Sequence, residues 1–258
     1  MTELKNKTVF ITGASAGIGE ACARAFAGAG SDLVLVARRL ERIRSLAEEL
    51  KADFGVSCFT GELDVRNAEA VSKFVSSIPN EFRAIDILLN NAGLARGFDT
   101  IAEGSLIDWD EMIDTNVKGL LYVTRAVLPG MIERNSGHII NIGSIAGRQV
   151  YPKGGVYCAS KFAVRALNQA MQIDLVDTPV RVSTVDPGLA NTEFSKVRFR
   201  NDNEKAESVY TGMTPLNAED IAEGVLFCAT RPPHVNVAEL LITPSDQASA
   251  YHVHRENG

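Results

Sequence analysis

Residues 8–19 read Thr-Val-Phe-Ile-Thr-Gly-Ala-Ser-Ala-Gly-Ile-Gly, a short apolar run followed directly by a glycine-rich turn. The run predicts a buried strand. Gly13 permits a tight turn after it, Gly17 lets the backbone approach a bound pyrophosphate, and Gly19 lets the next helix pack closely against the sheet. Glycine turns without a function are common, but this spacing between a strand and a helix predicts a dinucleotide-binding unit.

Outward from this unit, short β-branched or leucine-rich runs alternate with amphipathic stretches. The predicted strands cover residues 8–11, 33–36, 85–89, 138–142, 180–185 and 238–242. They are apolar at nearly every position, as in a parallel sheet covered by helices on both faces. Neither a linker nor a repeat divides the sequence. We therefore predict one α/β domain over residues 1–258, a doubly wound parallel sheet of the Rossmann type.

Composition and charge exclude several classes of protein. The 258 residues are 45% hydrophobic and 22% charged and carry a formal net charge of −6, which suits one sizeable core. The sequence has no basic stripe suited to a phosphate backbone, so nucleic acid is not expected as a partner. No apolar stretch reaches 18 residues and no apolar signal core opens the sequence, so we expect a cytoplasmic protein without a membrane partner.

The cysteines and histidines give no indication of a metal. Four cysteines are widely spaced, which favours reduced thiols over a disulfide framework or a zinc site; they are Cys22, Cys58, Cys158 and Cys228. His252 and His254 lie close together but lack a carboxylate or cysteine companion. No metal site is therefore expected.

The stretch near residues 188–215 differs from the rest of the chain, because charged residues crowd together there with little apolar periodicity. A long polar excursion inside a compact domain is usually a functional lid or a disordered segment. We interpret residues 188–215 as a substrate lid and call them the lid below.

The choice of dinucleotide should be decided at the end of the second strand, where the adenine ribose lies. Asp32 stands about 20 residues after the first glycine, but it precedes the apolar run 33–36 and so lies at the wrong end of that strand. The other end carries Arg38 and Arg39, whose guanidinium groups suit a 2′-phosphate. This favours NADP over NAD. The alternative is that both arginines merely open a solvated, charged helix.

A proton-transfer site is indicated by Ser144, Tyr157 and Lys161. A phenol of ordinary pKa near ~10 is matched to donating a proton to a developing alkoxide. Lys161 follows four residues later on the same helical face, where its charge would lower the pKa of the phenol. Ser144 follows a buried strand at the edge where such sheets bind ligands, and its hydroxyl can hold the substrate oxygen. Alone, a Tyr-x-x-x-Lys pair is an ordinary helix surface.

Further motifs accompany these residues: Asp64-Val65, Asn90-Asn91-Ala92-Gly93, Asn116, Tyr157-Cys158-Ala159-Ser160-Lys161 and Pro187-Gly188. With the glycine loop and Ser144, they make the chain resemble the classical short-chain dehydrogenase/reductase family over essentially its whole length. The resemblance implies an oxidoreductase that acts on a CH–OH group with a nicotinamide cofactor. It also implies a homotetramer.

The resemblance further implies a role for each matching position. Asn116, Ser144, Tyr157 and Lys161 would be the catalytic residues, with Asn116 holding a water that relays protons to Lys161. Asp64 and Val65 would flank the adenine. From the sequence alone, each asparagine could equally be a turn or cap residue. With the arginines already discussed, the cofactor-binding set is Gly13, Ser15, Gly17, Ile18, Gly19, Arg38, Arg39, Asp64, Val65, Asn91, Tyr157, Lys161, Pro187, Gly188 and Thr192.

A narrower resemblance is carried by residues 108–116, 124–131, 192–199 and 244–249. These segments are similar to the NADP-dependent 3-hydroxy acid dehydrogenase group, which includes dehydrogenases of serine and L-allo-threonine. Part of the similarity lies in the lid, which should hold the substrate. It implies a small 3-hydroxy acid, of the serine, allo-threonine or 3-hydroxypropionate type, and its 3-oxo acid or semialdehyde as the substrate pair.

A small acid requires a cationic partner. Arg148, four residues beyond Ser144, is the first candidate, so the predicted substrate-binding residues are Ser144, Arg148 and Tyr157; a solvated loop arginine is the alternative. Four other cations lie near the catalytic strand or in the lid: Lys153, Lys196, Arg198 and Arg200.

Two other functions stay open at this point. A reductase of a larger ketone, such as a sugar, steroid or secondary metabolite, would use the same chemistry but would require an apolar lid. A non-catalytic dinucleotide sensor would be expected to lack the tyrosine or the lysine, and the sequence contains both.

Overall fold

Seven parallel strands form one sheet in residues 4–256, the part of the chain that the computed structural model describes. The strands are β1 (Thr8–Thr12), β2 (Asp32–Ala37), β3 (Cys58–Glu62), β4 (Ile85–Asn90), β5 (Gly137–Ile142), β6 (Val180–Pro187) and β7 (Glu239–Ile242). Their order, β3-β2-β1-β4-β5-β6-β7, reverses direction between β1 and β4. Residues 1–3 and 257–258, which belong to the predicted domain, lie outside the described part. The predicted doubly wound α/β fold is confirmed.

Helices cover both faces of the sheet. They are α1 (Gly17–Gly28), α2 (Leu40–Phe54), α3 (Ala68–Ser77), α4 (Leu106–Ile113), α5 (Leu120–Glu133), α6 (Gly155–Asp174), α7 (Glu193–Arg198), α8 (Asn203–Ser208) and α9 (Ala218–Ala229). Buried side chains of α1, α2 and α9 pack on one face, and those of α3, α5 and α6 pack on the other. Among the described residues, no helix has the length and apolar content needed to cross a bilayer.

The central strand shows why the sequence is apolar without alternation. Every residue of β1 is buried; Val9 and Ile11 face the core under α1, whereas Phe10 faces the core under α5 and α6. Each large apolar side chain buried in this way stabilises the fold by about 1.5–3 kcal/mol. The six predicted strands are all present, with ends that differ by one or two residues.

The strand β3 was not predicted. Its sequence, Cys-Phe-Thr-Gly-Glu over residues 58–62, lacks an apolar run because β3 is one of the two edge strands and is only partly buried. Edge strands are paired on one side and part of their surface faces solvent, so the apolar signal weakens.

Two regions have features that the strand pattern does not show. A π-helical turn over Asp114–Gly119 separates α4 from α5. Such turns insert one extra residue and redirect side chains, often at functional sites. The lid contains the short helices α7 and α8, which are too short for helical periodicity to be visible in the sequence.

Candidate active site

A cleft of about 1250 Å³ opens at the carboxyl ends of the strands, where the strand order reverses. Open α/β sheets bind their ligands at this position. The glycine loop, the segments that follow β2 to β6, and the lid line the cleft. Sequence reasoning placed the glycine loop, the arginines after β2 and Ser144 after β5 at one edge of the sheet, and the structure brings these three segments together.

The backbone of the glycine loop adopts conformations and close contacts that require glycine. Gly13 and Gly17 have φ angles of 68° and 55°. A Cβ at Gly19 would collide with the carbonyl oxygen of Gly13 and the amide of Asn91. That amide donates to the carbonyl oxygens of Thr12 at 2.9 Å and Gly13 at 3.2 Å, which fixes the turn below the N-terminus of α1. The arrangement fits a pyrophosphate.

The arginines predicted to select the cofactor lie in the wall of the cleft that follows β2. Arg38 and Arg39 follow β2 and both line the cleft. Arg39 Nε donates to Ser15 Oγ at 3.1 Å, and Arg39 Nη1 lies 2.8 Å from Glu193 Oε2 in the lid. Asp32 begins β2 and accepts a hydrogen bond from the backbone of Ser57, so it lies at the opposite end of the strand, as the sequence predicted.

Asp64 and Val65 occupy the neighbouring wall of the cleft. Hydrogen bonds from Arg66 lower the pKa of Asp64 against the opposing effect of burial. Val65 is buried, and a Cβ at Gly119 would collide with it. This wall therefore depends on close packing against the π-helical turn.

The residues that follow β6, which are predicted to contact the nicotinamide, form another wall of the cleft. Gly188 donates its backbone N–H to Ile242 O at 2.7 Å, and a Cβ there would collide with Gln247. The hydroxyl of Thr192 accepts the backbone N–H of Phe194 and so caps α7. Thr192 also packs over Gly17. The first residues of the lid therefore close directly over the glycine loop.

Ser144 and Tyr157 both line the cleft and lie close enough together for Ser144 to act on the pKa of the Tyr157 phenol. Ser144 follows β5, and its hydroxyl also accepts the N–H of Ala146 at 3.1 Å, which holds the turn after the strand. Tyr157 lies in the first turn of α6, with its ring 5.5 Å from that of Phe194. A carbonyl group between these two hydroxyls would accept a hydrogen bond from each.

Burial raises the pKa of Tyr157 above its ordinary value, although the Ser144 hydroxyl and the charge of Arg198 oppose the shift. The phenol is therefore protonated at neutral pH and can act as a proton donor. We expected Lys161 to lower this pKa. Lys161 instead donates from Nζ to Ile142 O at 2.9 Å, and burial lowers its own pKa to about 8 despite the charge of Asp186.

The side chain of Asn116 has its donors and acceptor occupied by protein. Oδ1 accepts the N–H of Leu94 at 2.8 Å, and Nδ2 donates to Leu94 O and Ser160 Oγ, each at 2.9 Å. A Cβ at Gly93 would lie 3.2 Å from Asn116 Oδ1 and 3.6 Å from Lys161 Nζ. Gly93 therefore keeps open the space between these two side chains.

The prediction for Arg148 requires correction. Within residues 4–256, the lining of the cleft does not include Arg148. Its Nη2 lies 2.6 Å from carboxylate oxygens of both Asp186 and Glu239. Because both carboxylates already hold the guanidinium and Arg148 does not line the cleft, the structure does not favour it as the partner of a substrate anion.

Arg198, at the end of α7, occupies the cleft instead. Its Nε donates to Gly97 O at 2.9 Å and its Nη1 donates to Tyr151 Oη at 3.0 Å. The guanidinium lies 4.9 Å from the ring centroid of Phe98 and 6.0 Å from that of Tyr157. Among the described residues, no Asp or Glu carboxylate forms an ion pair with it, whereas Arg200 in the lid is paired with Asp108.

The two lysines among the candidate cations are placed less favourably than Arg198 for binding a substrate anion. Lys153 lines a separate cavity of about 20 Å³, and Lys196 is not among the residues that line the cleft. Sequence reasoning missed Phe98 and Tyr151, the aromatic residues around Arg198. Their position after β4 and β5, on loops at the ligand-binding edge, is the signal that could have found them.

Together, the cleft and the Ser144–Tyr157 pair define a nicotinamide-dependent oxidoreductase of the α/β class. A sequence model of the short chain dehydrogenase family matches residues 7–203. The chain therefore belongs to the short-chain dehydrogenase family, as the motifs predicted.

Individual relatives are similar over nearly the whole chain. An NADP-dependent 3-hydroxy acid dehydrogenase, YdfG of Salmonella typhi, is 49% identical over 96% of this chain and 99% of its own length. Sulfoacetaldehyde reductase 2 of Chromohalobacter salexigens is 47% identical over 96% of this chain and 98% of its own length. The closed form of a serine dehydrogenase complexed with NADP+ matches with a TM-score of 0.90 and 47% identity, covering 96% of this chain and all of that one.

Proposed function

We propose that the protein is an NADP-dependent dehydrogenase of small 3-hydroxy acids, which it interconverts with the corresponding 3-oxo acids or semialdehydes. The observation that carries the proposal is Arg198, a guanidinium in the cleft that forms no ion pair with a carboxylate among the described residues. Relatives named for 3-hydroxy acid and serine dehydrogenases support the same substrate class.

The shape of the cleft fits NADP. Gly13, Gly17 and Gly19 leave backbone N–H groups at the N-terminus of α1 for the pyrophosphate, and Arg38 and Arg39 offer guanidinium groups to the 2′-phosphate. When bound, the nicotinamide supplies or accepts the hydride. Pro187, Gly188 and Thr192 form the wall at that end.

The chain's own residues handle the proton and position the substrate. In the reducing direction, Ser144 and Tyr157 donate hydrogen bonds to the carbonyl oxygen, and Tyr157 gives up its proton as the alkoxide develops. Lys161, which is largely protonated at neutral pH with a pKa of about 8, would turn from Ile142 O to stabilise the phenolate that remains. Asn116 positions Ser160 and the segment at Leu94 beside Lys161 and borders the space kept open by Gly93, which suits a proton-relaying water.

Arg198 would bind the substrate carboxylate. It is held in place by Gly97 and Tyr151, so little side-chain freedom is lost when an anion binds. Its position over the ring of Tyr157 places the anionic end of a short molecule close to the reacting carbon. The same arrangement suits a sulfonate, and one relative is named for sulfoacetaldehyde. A large neutral ketone would leave this guanidinium without a partner.

Initial rates with NADP and NAD test the proposal. The substrates are L-serine, L-allo-threonine, 3-hydroxypropionate and a neutral secondary alcohol, with malonic semialdehyde and sulfoacetaldehyde in the reverse direction. We expect turnover with NADP and the carboxylic acids. Turnover of the neutral alcohol alone would favour the reductase of a larger ketone, and a clear preference for sulfoacetaldehyde would make the protein a sulfonate enzyme.

The proposal includes a single domain over residues 1–258, assembled as a homotetramer in the cytoplasm. Exposed apolar side chains on α5 and α6 support the assembly, because they would be covered in it: Leu121, Ile132, Phe162 and Ile173. Molar mass measured by light scattering distinguishes a tetramer from a dimer or a monomer.

A further inference from the structure

Glu193 is the first residue of α7 and lines the cleft, and the proposed function gives it no role. Its Oε2 lies 2.8 Å from Arg39 Nη1, and its Oε1 lies 2.8 Å from Arg42 Nη1. Arg39 also donates from Nε to Ser15 Oγ. Both carboxylate oxygens of Glu193 are therefore bound to the arginines that follow β2.

This contact resembles the way arginines hold a phosphate. Two anionic oxygens that bridge two guanidinium groups satisfy the same donors that a phosphate would use. Arg39 is one of the two arginines placed to bind the 2′-phosphate of the cofactor. Glu193 and the 2′-phosphate would therefore compete for the same N–H groups, and their negative charges would repel each other if both stayed in place.

We infer that Glu193 is a cofactor-specificity residue, an internal counter-ion that the 2′-phosphate displaces from Arg39. It weakens the binding of nucleotides that carry a 2′-phosphate and leaves those with a free 2′-hydroxyl nearly unaffected. This inference rests on the proposed use of NADP. It deepens that proposal, because it names a residue that limits the preference for NADP over NAD.

The surroundings of the ion pairs permit the exchange. The side chains of Glu193 and Arg39 are 40% and 45% exposed, so water screens the contact and can replace either partner. Hydrogen bonds from Arg42 and Arg39 lower the pKa of Glu193, and the residue is ionised at neutral pH. Arg42 can retain the carboxylate after Arg39 has turned to the phosphate.

The test measures binding without turnover. Calorimetric titration with 2′,5′-ADP and 5′-AMP reports the contribution of the 2′-phosphate, since neither probe carries a nicotinamide. Glu193→Gln keeps the size of the side chain and removes its charge. We expect this variant to bind 2′,5′-ADP about 2- to 5-fold more tightly than the wild type, the upper range of the one exposed ion pair with Arg39 that the phosphate replaces, and to bind 5′-AMP as the wild type does.

Two controls distinguish the effect of the Glu193–Arg39 contact from the general electrostatic effect of charges in the lid. Glu204→Gln makes the same change of charge at an exposed lid position that is not among the residues lining the cleft, and we expect it to bind both probes as the wild type does. In the Arg39→Ala background, Glu193→Gln should give no gain for 2′,5′-ADP, because the shared donor is gone. Thermal melts of each variant check that it is folded.

Three results would overturn the inference. Unchanged or weaker binding of 2′,5′-ADP by Glu193→Gln would mean that Glu193 positions the arginines instead of competing for them. Equal tightening of both probes would mean a general effect of charge. A wild type that does not prefer 2′,5′-ADP to 5′-AMP would overturn the proposed use of NADP as well, whereas the first two results leave that proposal intact.

Discussion

The glycine loop and the lid enclose the same cleft but are held by different forces. The loop is fixed by backbone geometry, with positive φ angles at Gly13 and Gly17 and the Asn91 amide bonded to two carbonyl oxygens. The lid is held largely by long charged side chains, among them Arg200 on Asp108 and Glu193 on Arg39. The pair of Glu193 and Arg39 is exposed, and a pair of this kind contributes about 0.2–1 kcal/mol.

This difference in how the glycine loop and the lid are held determines which substitutions each of them can accommodate. Substitution in the loop requires the backbone to move, because a Cβ at Gly19 has no space. Substitution in the lid changes a charge on a short helix and leaves the sheet untouched. The glycine loop is therefore suited to holding the pyrophosphate common to both cofactors, and the lid to selecting among ligands by their charge.

The largest effect is expected at the reacting centre between the glycine loop and the lid. Tyr157→Phe removes the proton donor and retains the ring that packs on Phe194. Turnover should fall by about 10²- to 10⁴-fold, the contribution of a general acid, while NADP binding stays nearly unchanged. Steady-state kinetics together with fluorescence titration of NADPH provide the measurement. Activity near that of the wild type would refute the mechanism.

The next effect tests the lid. Arg198→Met removes the charge held by Gly97 and Tyr151 and should lower kcat/KM for 3-hydroxy acids by about 30-fold, in the range found when one partner of a buried charge pair is lost. A neutral alcohol should be affected far less. Lys196→Met, on the same helix but outside the residues that line the cleft, is the matched control. Equal losses in the two variants would move the anion site elsewhere.

The same contrast explains what could be predicted from the sequence. The fold and the loop follow local rules: apolar runs give strands, and the spacing of Gly13, Gly17 and Gly19 gives the turn. The end of β2 could also be located, and this placed Asp32 away from the ribose and Arg39 beside it. These features depend on residues that are close together in the sequence, so they can be predicted from a single sequence.

The substrate side could not be predicted in this way. Arg148 is close to Ser144 in sequence, but Asp186 and Glu239, which hold it, come from β6 and β7. Arg198 acquires its place from Gly97 and Tyr151, about 100 and 47 residues away. Whether an arginine is already paired depends on tertiary contacts that a local pattern does not contain.

A smaller effect is expected at Arg39, where the glycine loop and the lid meet. Arg39→Ala removes a guanidinium bonded to both the loop residue Ser15 and the lid residue Glu193. It should raise the KM for NADP by about 10-fold, as for the loss of one charge-assisted contact. The KM for NAD should change little, because NAD lacks the 2′-phosphate. Equal increases for both cofactors would refute a role in phosphate recognition.

The smallest effect concerns the sheet itself and appears only in acid. His138 in β5 is buried, its Nε2 lies 2.8 Å from Ser183 Oγ, and burial lowers its pKa to about 3. Between about pH 3 and 6.5, the unfolded chain binds a proton at His138 that the folded chain does not, so this residue makes stability fall as the pH drops through 6.5. The loss should reach about 1 kcal/mol between pH 7 and 5.5.

Urea unfolding at both pH values provides the measurement. The free energy of unfolding should depend less on pH in His138→Gln, by that amount. It should show no such change in His234→Gln, whose side chain is exposed. If His138→Gln retained the pH dependence of the wild type, the loss of stability in acid would arise from groups other than His138.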